Sequence, residues 1–207
     1  MIIVFDTETN GFAGASVLSI SAIKVVDFEI VEEYNRFYYP IEPFNKQAIA
    51  VNGLDYDTIN KLRKNVNYPN RFKDDLNSFY VFIENATHFI GHNISFDLQF
   101  IEPIKLTHIF CTMRSNINII KLPYRNGYKY PKLLEAAQYY NVKYNANNLH
   151  GSLYDVYITY KVFHSMSNHH IAKNIVTEFL QSQGTKPMIP QKKMYSSLFE
   201  SYRNAIK

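Results

Sequence analysis

The sequence predicts an α/β fold, and three features carry that reading. The chain opens on an apolar run, Met1-Ile2-Ile3-Val4-Phe5, with no polar break, as in a strand buried on both faces. Two segments rich in Val, Ile, Phe and Tyr follow, residues 15–26 and 29–39, with a tight break at Asp27-Phe28 that makes them an antiparallel hairpin. Beyond residue 70, stretches with apolar residues at helical spacing alternate with short apolar strands.

Taken in order, the first strand ends at Asp6 and Glu8, and Asn10-Gly11 turns the chain. Pro40 and Pro43 close the hairpin. Residues 55–64 read as a short polar helix, and 71–85 as an amphipathic one with Phe72, Leu76, Phe79 and Ile83 on its buried face. A strand at 88–93 leads to a helix capped by Ser95, with Phe96 and Phe100 packing inward and Asp97 in its first turn. Residues 104–111 read as a further strand and 116–121 as helical. Pro131 suits the first position of a helix whose buried face is Leu133, Leu134 and Ala137. After His150-Gly151 comes a strong amphipathic helix with Leu153, Val156 or Tyr157, Tyr160 and Phe163 on its stripe and Asp155 off it. A helix over 170–183 stops at Gly184. Residues 1–184 form one domain; 185–207 read as a proline-containing linker and a short basic helix.

The bulk composition, 46% hydrophobic and 19% charged, is that of an ordinary soluble domain. A single cysteine, Cys111, excludes an intramolecular disulfide and suits a reducing, cytoplasmic setting. The first strand stops too soon for a signal peptide, and no segment has the length of a membrane span, so no membrane partner is expected. Residues 186–207 hold five cations against Glu200 alone, the whole of the +4 net charge, and leave the rest neutral. Such a tail is either a solvated end or a contact for an anionic partner. Residues 122–130 interleave Tyr124, Tyr128 and Tyr130 with Arg125 and Lys129. That pattern serves an unstacked nucleotide strand, or else the tyrosines cover the core.

Asp6 and Glu8, two apart on a strand, share a face. Two like charges beside a buried core repel each other and resist desolvation, and a divalent cation is the simplest relief. The alternative is an acidic strand end facing water. Asp97, His150 and Asp155 also fall at strand ends or helix starts, where sites collect in α/β sheets. Phe5-Asp6-Thr7-Glu8-Thr9-Asn10-Gly11, Gly91-His92-Asn93-Ile94-Ser95-Phe96-Asp97 and His150-Gly151-Ser152-Leu153-Tyr154-Asp155 resemble, in order and spacing, the three motifs of the DEDDh family, the DnaQ-like 3′–5′ exonucleases. The resemblance covers roughly residues 1–166.

It implies a ribonuclease-H-like mixed five-stranded sheet with helices on both faces, followed here by the short C-terminal helical extension. It implies that Asp6, Glu8, Asp97 and Asp155 hold two divalent cations, Mg²⁺ or Mn²⁺, with Asp6 bridging them, and that His150 is the general base. The sister group with tyrosine in that role is disfavoured, because Tyr154 falls four residues too late. The remaining histidines read as structural or solvated. Thr7, Thr9, Gly11 and Phe12 would contact the terminal nucleotide, joined by Asn93 and Phe96 of the second motif. Asn52 stands where relatives carry a histidine that reaches the base, and Asn10 where many carry Thr or Ser.

The activity so implied is metal-dependent hydrolysis of a DNA 3′ end, single-stranded by preference, like that of a replicative polymerase's proofreading subunit or domain. A polymerase subunit would dock on the C-terminal tail. An RNA-directed relative, trimming tRNA or degrading oligoribonucleotides, would use the same residues. An inactive nucleic-acid-binding module on the same fold is disfavoured by the complete acid set.

Overall fold

The computed structural model describes residues 1–102, 104–145 and 151–187. The chain begins with β1 (Ile2–Thr9), β2 (Val17–Val26) and β3 (Glu29–Phe37), then α1 (Lys46–Asn52), α2 (Tyr56–Leu62) and α3 (Phe72–Ile83). Next come β4 (His88–Gly91), α4 (Ile94–Asp97), β5 (Ile109–Cys111), α5 (Thr112–Ser115) and α6 (Ile117–Ile120). A small hairpin, β6 (Pro123–Tyr124) and β7 (Gly127–Tyr128), precedes α7 (Leu133–Tyr139), α8 (Ser152–Asn168) and α9 (Lys173–Gln181). Five strands form one mixed sheet in the order β3-β2-β1-β4-β5. The β1–β2 and β2–β3 pairs are antiparallel, whereas β4 runs parallel to both β1 and β5.

Strand periodicity assigns the two faces of β1. Ile3 and Phe5 enter a core with Ile20, Ala22, Phe89 and the α3 residues Phe79 and Ile83. Val4 points the other way, into a core with Ile23, Ile90, Phe110 and the α8 residues Val156, Val162 and Phe163. Asp6 and Glu8 continue the Val4 face and so point to the α8 side, while Thr7 points to the α3 side. The β2–β3 turn places Asp27 and Phe28 at φ 50° and 64°, the paired left-handed conformation that matches the twist of a two-residue hairpin.

Several sequence expectations change in detail. Residues 104–111 yield only the three strand residues of β5, because Ile104 leaves the sheet to pack against the α3-side core. Ser95 caps nothing: α4 starts after Asn93, which takes φ 67°, and Ser95 is an exposed residue within it. Of the two phenylalanines there, Phe96 is only half-buried and meets Phe100 edge-on at 5.2 Å. Pro131 lies two residues ahead of α7, where the Glu135 carboxylate accepts from the Lys132 N–H. The buried pair on that helix is Ala136 and Ala137. Helix α9 ends at Gln181, and Gly184 answers a different need: a Cβ there would come within 2.4 Å of the Thr87 carbonyl oxygen. The tyrosines of 122–130 do not cover the core; Tyr124, Tyr128 and Tyr130 are all exposed. The basic helix expected at the C-terminus lies outside the described residues.

Phe79 is fully buried, with ring centroids 5.9 Å from Phe5 and 5.5 Å from Tyr34. Truncation there removes one of the buried contacts that tie α3 to the sheet. Phe79→Ala is expected to lower unfolding free energy by about 3–5 kcal/mol in urea titration; a loss under about 1 kcal/mol would contradict this packing.

Candidate active site

The site is built on the C-terminal end of β1. Asp6 and Glu8 leave the sheet on the α8 side, and a break in the β1–β2 register between Glu8 and Thr9 bends the strand just past them. Opposite them on β2 stand two small residues, Ser21 facing Asp6 and Ser19 facing Glu8. Cross-strand partners share a face, so this floor leaves space for a helix end. Ser152 fills it: its hydroxyl lies 2.8 Å from Ser19 Oγ and 2.7 Å from Ser21 Oγ, fully buried. Asp155 follows three residues on, along the same side of α8. Carboxylate oxygens of Asp6, Glu8 and Asp155 consequently lie within 4.8 Å of one another.

Asp97 arrives from α4, after β4 has ended beside β1. It is buried, and its Oδ1 accepts both the Thr7 N–H at 2.9 Å and the Thr7 hydroxyl at 2.6 Å. This double bond to the residue between Asp6 and Glu8 fixes the fourth acid against the other three. Thr7, expected at the substrate, thus holds a carboxylate with both of its donors.

The electrostatics record the crowding. Asp6 is raised well above the usual carboxylate range by burial, then by the charges of Asp97, Glu8 and Asp155. Glu8 is pushed up to about 8 by burial, Asp155 and Asp97, against a lowering contact from the Asn52 amide. Burial takes Asp97 to about 7, although the two bonds from Thr7 oppose it. Every charge acting on Asp6 is a carboxylate. A tight set of hard oxygen donors with like charge fits a hard divalent cation.

Around the acids, the residues expected at the substrate are ordered by a second set of bonds. Glu42 accepts from the Ser16 N–H (2.8 Å), the Ser16 hydroxyl (2.7 Å) and the Asn10 amide (2.9 Å). Burial works to raise Glu42, but these bonds outweigh it and hold the carboxyl at about 2. Asn10 in turn accepts the Asn45 N–H at 2.9 Å, which explains an asparagine there: it ties the loop by both ends. The anchored loop carries Gly11 and pushes Phe12 out, 86% exposed. The Thr9 hydroxyl donates to the Gly11 carbonyl, and Asn52 donates to the Thr9 carbonyl at 3.1 Å. Asn93 is exposed beyond β4 and Phe96 is half-buried. His150 lies outside the described residues; the next residue, Gly151, is the N-cap of α8. Ser152 and Glu42 were not foreseen from sequence. The only sign of Ser152 was the alternation Ser19-x-Ser21 on β2; Glu42, between two prolines, gave none.

A mixed sheet with an acidic cluster at the C-terminal end of its central strand defines the class, and the comparisons agree. A family model described as an exonuclease, RNase_T, matches residues 3–163, and the chain belongs to that family, the DnaQ-like exonucleases of the ribonuclease-H-like superfamily. The DNA polymerase III PolC-type of Halalkalibacterium halodurans is 33% identical over 101 residues, 48% of this chain and 6% of that protein. The PolC-type polymerase of Staphylococcus haemolyticus is 28% identical over 102 residues, again 48% and 6%. The matched segment thus spans only about 6% of the length of these curated relatives. Among solved structures, Exonuclease X in complex with 5′ overhanging duplex DNA superposes with a TM-score of 0.62 at 21% identity, covering 86% of this chain and 99% of that one. E. coli Exonuclease I in complex with a dT13 oligonucleotide gives 0.64 at 12% identity, covering 86% and 43%. Both likenesses concern the fold.

The raised carboxyls set a pH dependence whose sign is fixed. A carboxyl with a folded pKa of 7–8 and an unfolded value near ~4 keeps its proton longer in the folded state, so stability is fully present below ~4 and falls as pH rises to ~8. Chelator-treated protein is expected to melt at a lower temperature at pH 8 than at pH 5. Added Mn²⁺ should raise the melting temperature more at pH 8. A melting temperature indifferent to both would contradict the clustered site.

Proposed function

We propose that this chain is a metal-dependent 3′–5′ exonuclease that hydrolyses the terminal phosphodiester of DNA and releases 5′-mononucleotides. The observation that carries the reading is the convergence of Asp6, Glu8 and Asp155 within 4.8 Å, with Asp97 tied to Thr7 beside them. Asp6, Glu8, Asp97 and Asp155 would hold two divalent cations, Mg²⁺ or Mn²⁺. When bound, the cations supply a clamp on the attacking and leaving oxygens of an in-line displacement.

The chain's own residues do the rest. His150 would take a proton from the attacking water, a task that suits the imidazole side chain. The leaving group is the 3′ oxygen of the penultimate nucleotide. Phe12, held out by the Glu42-anchored loop, offers its ring to the terminal base, and backbone groups of Thr7 to Phe12 reach the terminal sugar. Asn93 and Phe96 border the site from the β4 side. DNA is favoured as substrate because Exonuclease X and Exonuclease I are described bound to DNA and the PolC relatives are DNA polymerases. Proofreading or repair follows as the role. No helix among the described residues is long and apolar enough to cross a membrane.

We place the catalytic domain at 1–184 and assign the tail to docking a polymerase subunit. Thr185 Oγ1 lies 2.8 Å from Thr107 Oγ1, and Lys186 donates to Asn85 at 3.0 Å, so a truncation that tests the tail begins at residue 188.

The assay uses 3′-labelled single-stranded DNA, mismatched duplex DNA and RNA, each with Mg²⁺, Mn²⁺ or chelator. Single-stranded DNA is expected to be degraded fastest, with nucleoside 5′-monophosphate as the product. Asp6→Ala should lose more than the 10–100-fold typical of residues that merely support metal ligands, and the chain ending at 187 should keep its hydrolysis. Activity in chelator, survival of activity in Asp6→Ala, or RNA cleaved in preference to DNA would overturn the corresponding part of the reading.

A further inference from the structure

The β6–β7 hairpin is absorbed neither by the core nor by the acid cluster. Residues 121–132 hold four cations, Lys121, Arg125, Lys129 and Lys132, three tyrosines and no acid. Its strands pair Pro123 with Tyr128 and Tyr124 with Gly127, and the Lys129 N–H continues the ladder to the Leu122 carbonyl at 3.0 Å. Tyr124, Tyr128 and Tyr130 are 54%, 47% and 55% exposed, so the rings face solvent. A chain seldom places three large aromatics together in water without use for them. The Arg125 guanidinium lies 5.2 Å from the centroid of the Tyr124 ring, a stacked cation on an aromatic face.

The hairpin is tied to the C-terminal end of β4, the strand beside the one that carries Asp6 and Glu8. His92, just past the end of β4, gives its Nε2–H to the carbonyl of Pro131 at 3.0 Å and turns Nδ1 toward Thr112 Oγ1 at 2.9 Å. Burial, opposed by the Pro131 bond, holds His92 down at about 4, so this link is neutral and pH-independent near neutrality. Five residues after His92 comes Asp97. Lys129 also pairs with Glu135 on α7, bracing the second strand. One histidine therefore joins the root of the hairpin to the segment that delivers a site carboxylate.

We propose that this hairpin is a binding platform for an extended single strand of nucleic acid, engaging nucleotides upstream of the 3′ end whose terminus lies at the acid cluster. The inference rests on the exonuclease reading for the direction of the strand. Tyr128 ends β7 and Tyr130 follows two residues later, so two exposed rings stand in succession on the segment that leaves the hairpin. Arg125 and Lys132 supply the charge that a phosphate backbone requires, while the acid cluster itself repels it. Base stacking on tyrosine is tolerant of sequence, as an enzyme working through any 3′ end needs.

Two measurements on the full chain test this. The first is fluorescence anisotropy with a 5′-labelled oligothymidylate of about a dozen nucleotides, its 3′ linkages made phosphorothioate. The second is turnover of thymidine 5′-p-nitrophenyl phosphate, which is too short to reach the hairpin. In Tyr128→Ala/Tyr130→Ala, the ratio of oligonucleotide affinity to ester turnover is expected to fall at least ~tenfold. Tyr128→Phe/Tyr130→Phe should restore it. Arg125→Ala should flatten the dependence of log Kd on log salt by about 0.7. An alanine variant that binds as tightly as the parent, or loses binding and ester turnover in equal measure, overturns the platform. If the parent turns over neither the ester nor 3′-labelled single-stranded DNA, the exonuclease reading fails, and the anisotropy comparison still decides the hairpin.

Discussion

Mutual repulsion among four carboxylates is the constraint around which this molecule is arranged. A domain of this size has only a few kcal/mol of net stability, and buried like charges draw on it. The fold accepts that cost at the C-terminal end of the central strand. There, Asp6 and Glu8 are fixed by the alternation of β1, Asp97 by two bonds from Thr7, and Asp155 by the helix whose start is locked to β2 through Ser152. Three ties to the same strand pair therefore position the four acids. The cluster is preorganised for positive charge.

That arrangement explains why polar residues sit in otherwise apolar layers. Ser19 and Ser21 lie in β2 among Leu18, Ile20, Ala22 and Ile23, all fully buried. Larger apolar side chains would fill the space that α8 needs to bring Asp155 down. Asn116, also fully buried, donates to the Thr112 carbonyl at 2.7 Å and accepts from the Tyr140 hydroxyl at 2.6 Å. It thereby joins the helix after β5 to α7, on the same side as the hairpin. Polar bonds of this kind cost little once satisfied and leave one packing arrangement available.

Much of this was legible in the sequence, for physical reasons. The period of two in Val4, Asp6 and Glu8 announces a shared face, and the helical period of Phe72, Leu76, Phe79 and Ile83 announces α3. The three motifs contain Asp97 and Asp155. What stayed hidden lacks periodicity. Helix α1 buries none of its residues fully and starts from an asparagine cap, so it leaves no apolar stripe to read. The length of β5 depended on Ile104 choosing a loop position in the core over a ladder position. Glu42 and His92 act by reaching across the chain, to Ser16 and Asn10 or to Thr112 and Pro131, and such contacts have no local signature. Gly184 looked like a helix stop because glycine often is one; its reason is a close approach to Thr87, visible only in three dimensions.

The central claim is that these acids exist to hold a pair of cations. Counting bound Mn²⁺ by the loss of its free electron paramagnetic resonance signal, with thymidine 5′-monophosphate present, tests it most directly. The account requires two ions per chain in the parent protein and a clear loss in Asp6→Asn. A parent that binds none, or an Asp6→Asn variant that binds the same number with the same affinity, would contradict it.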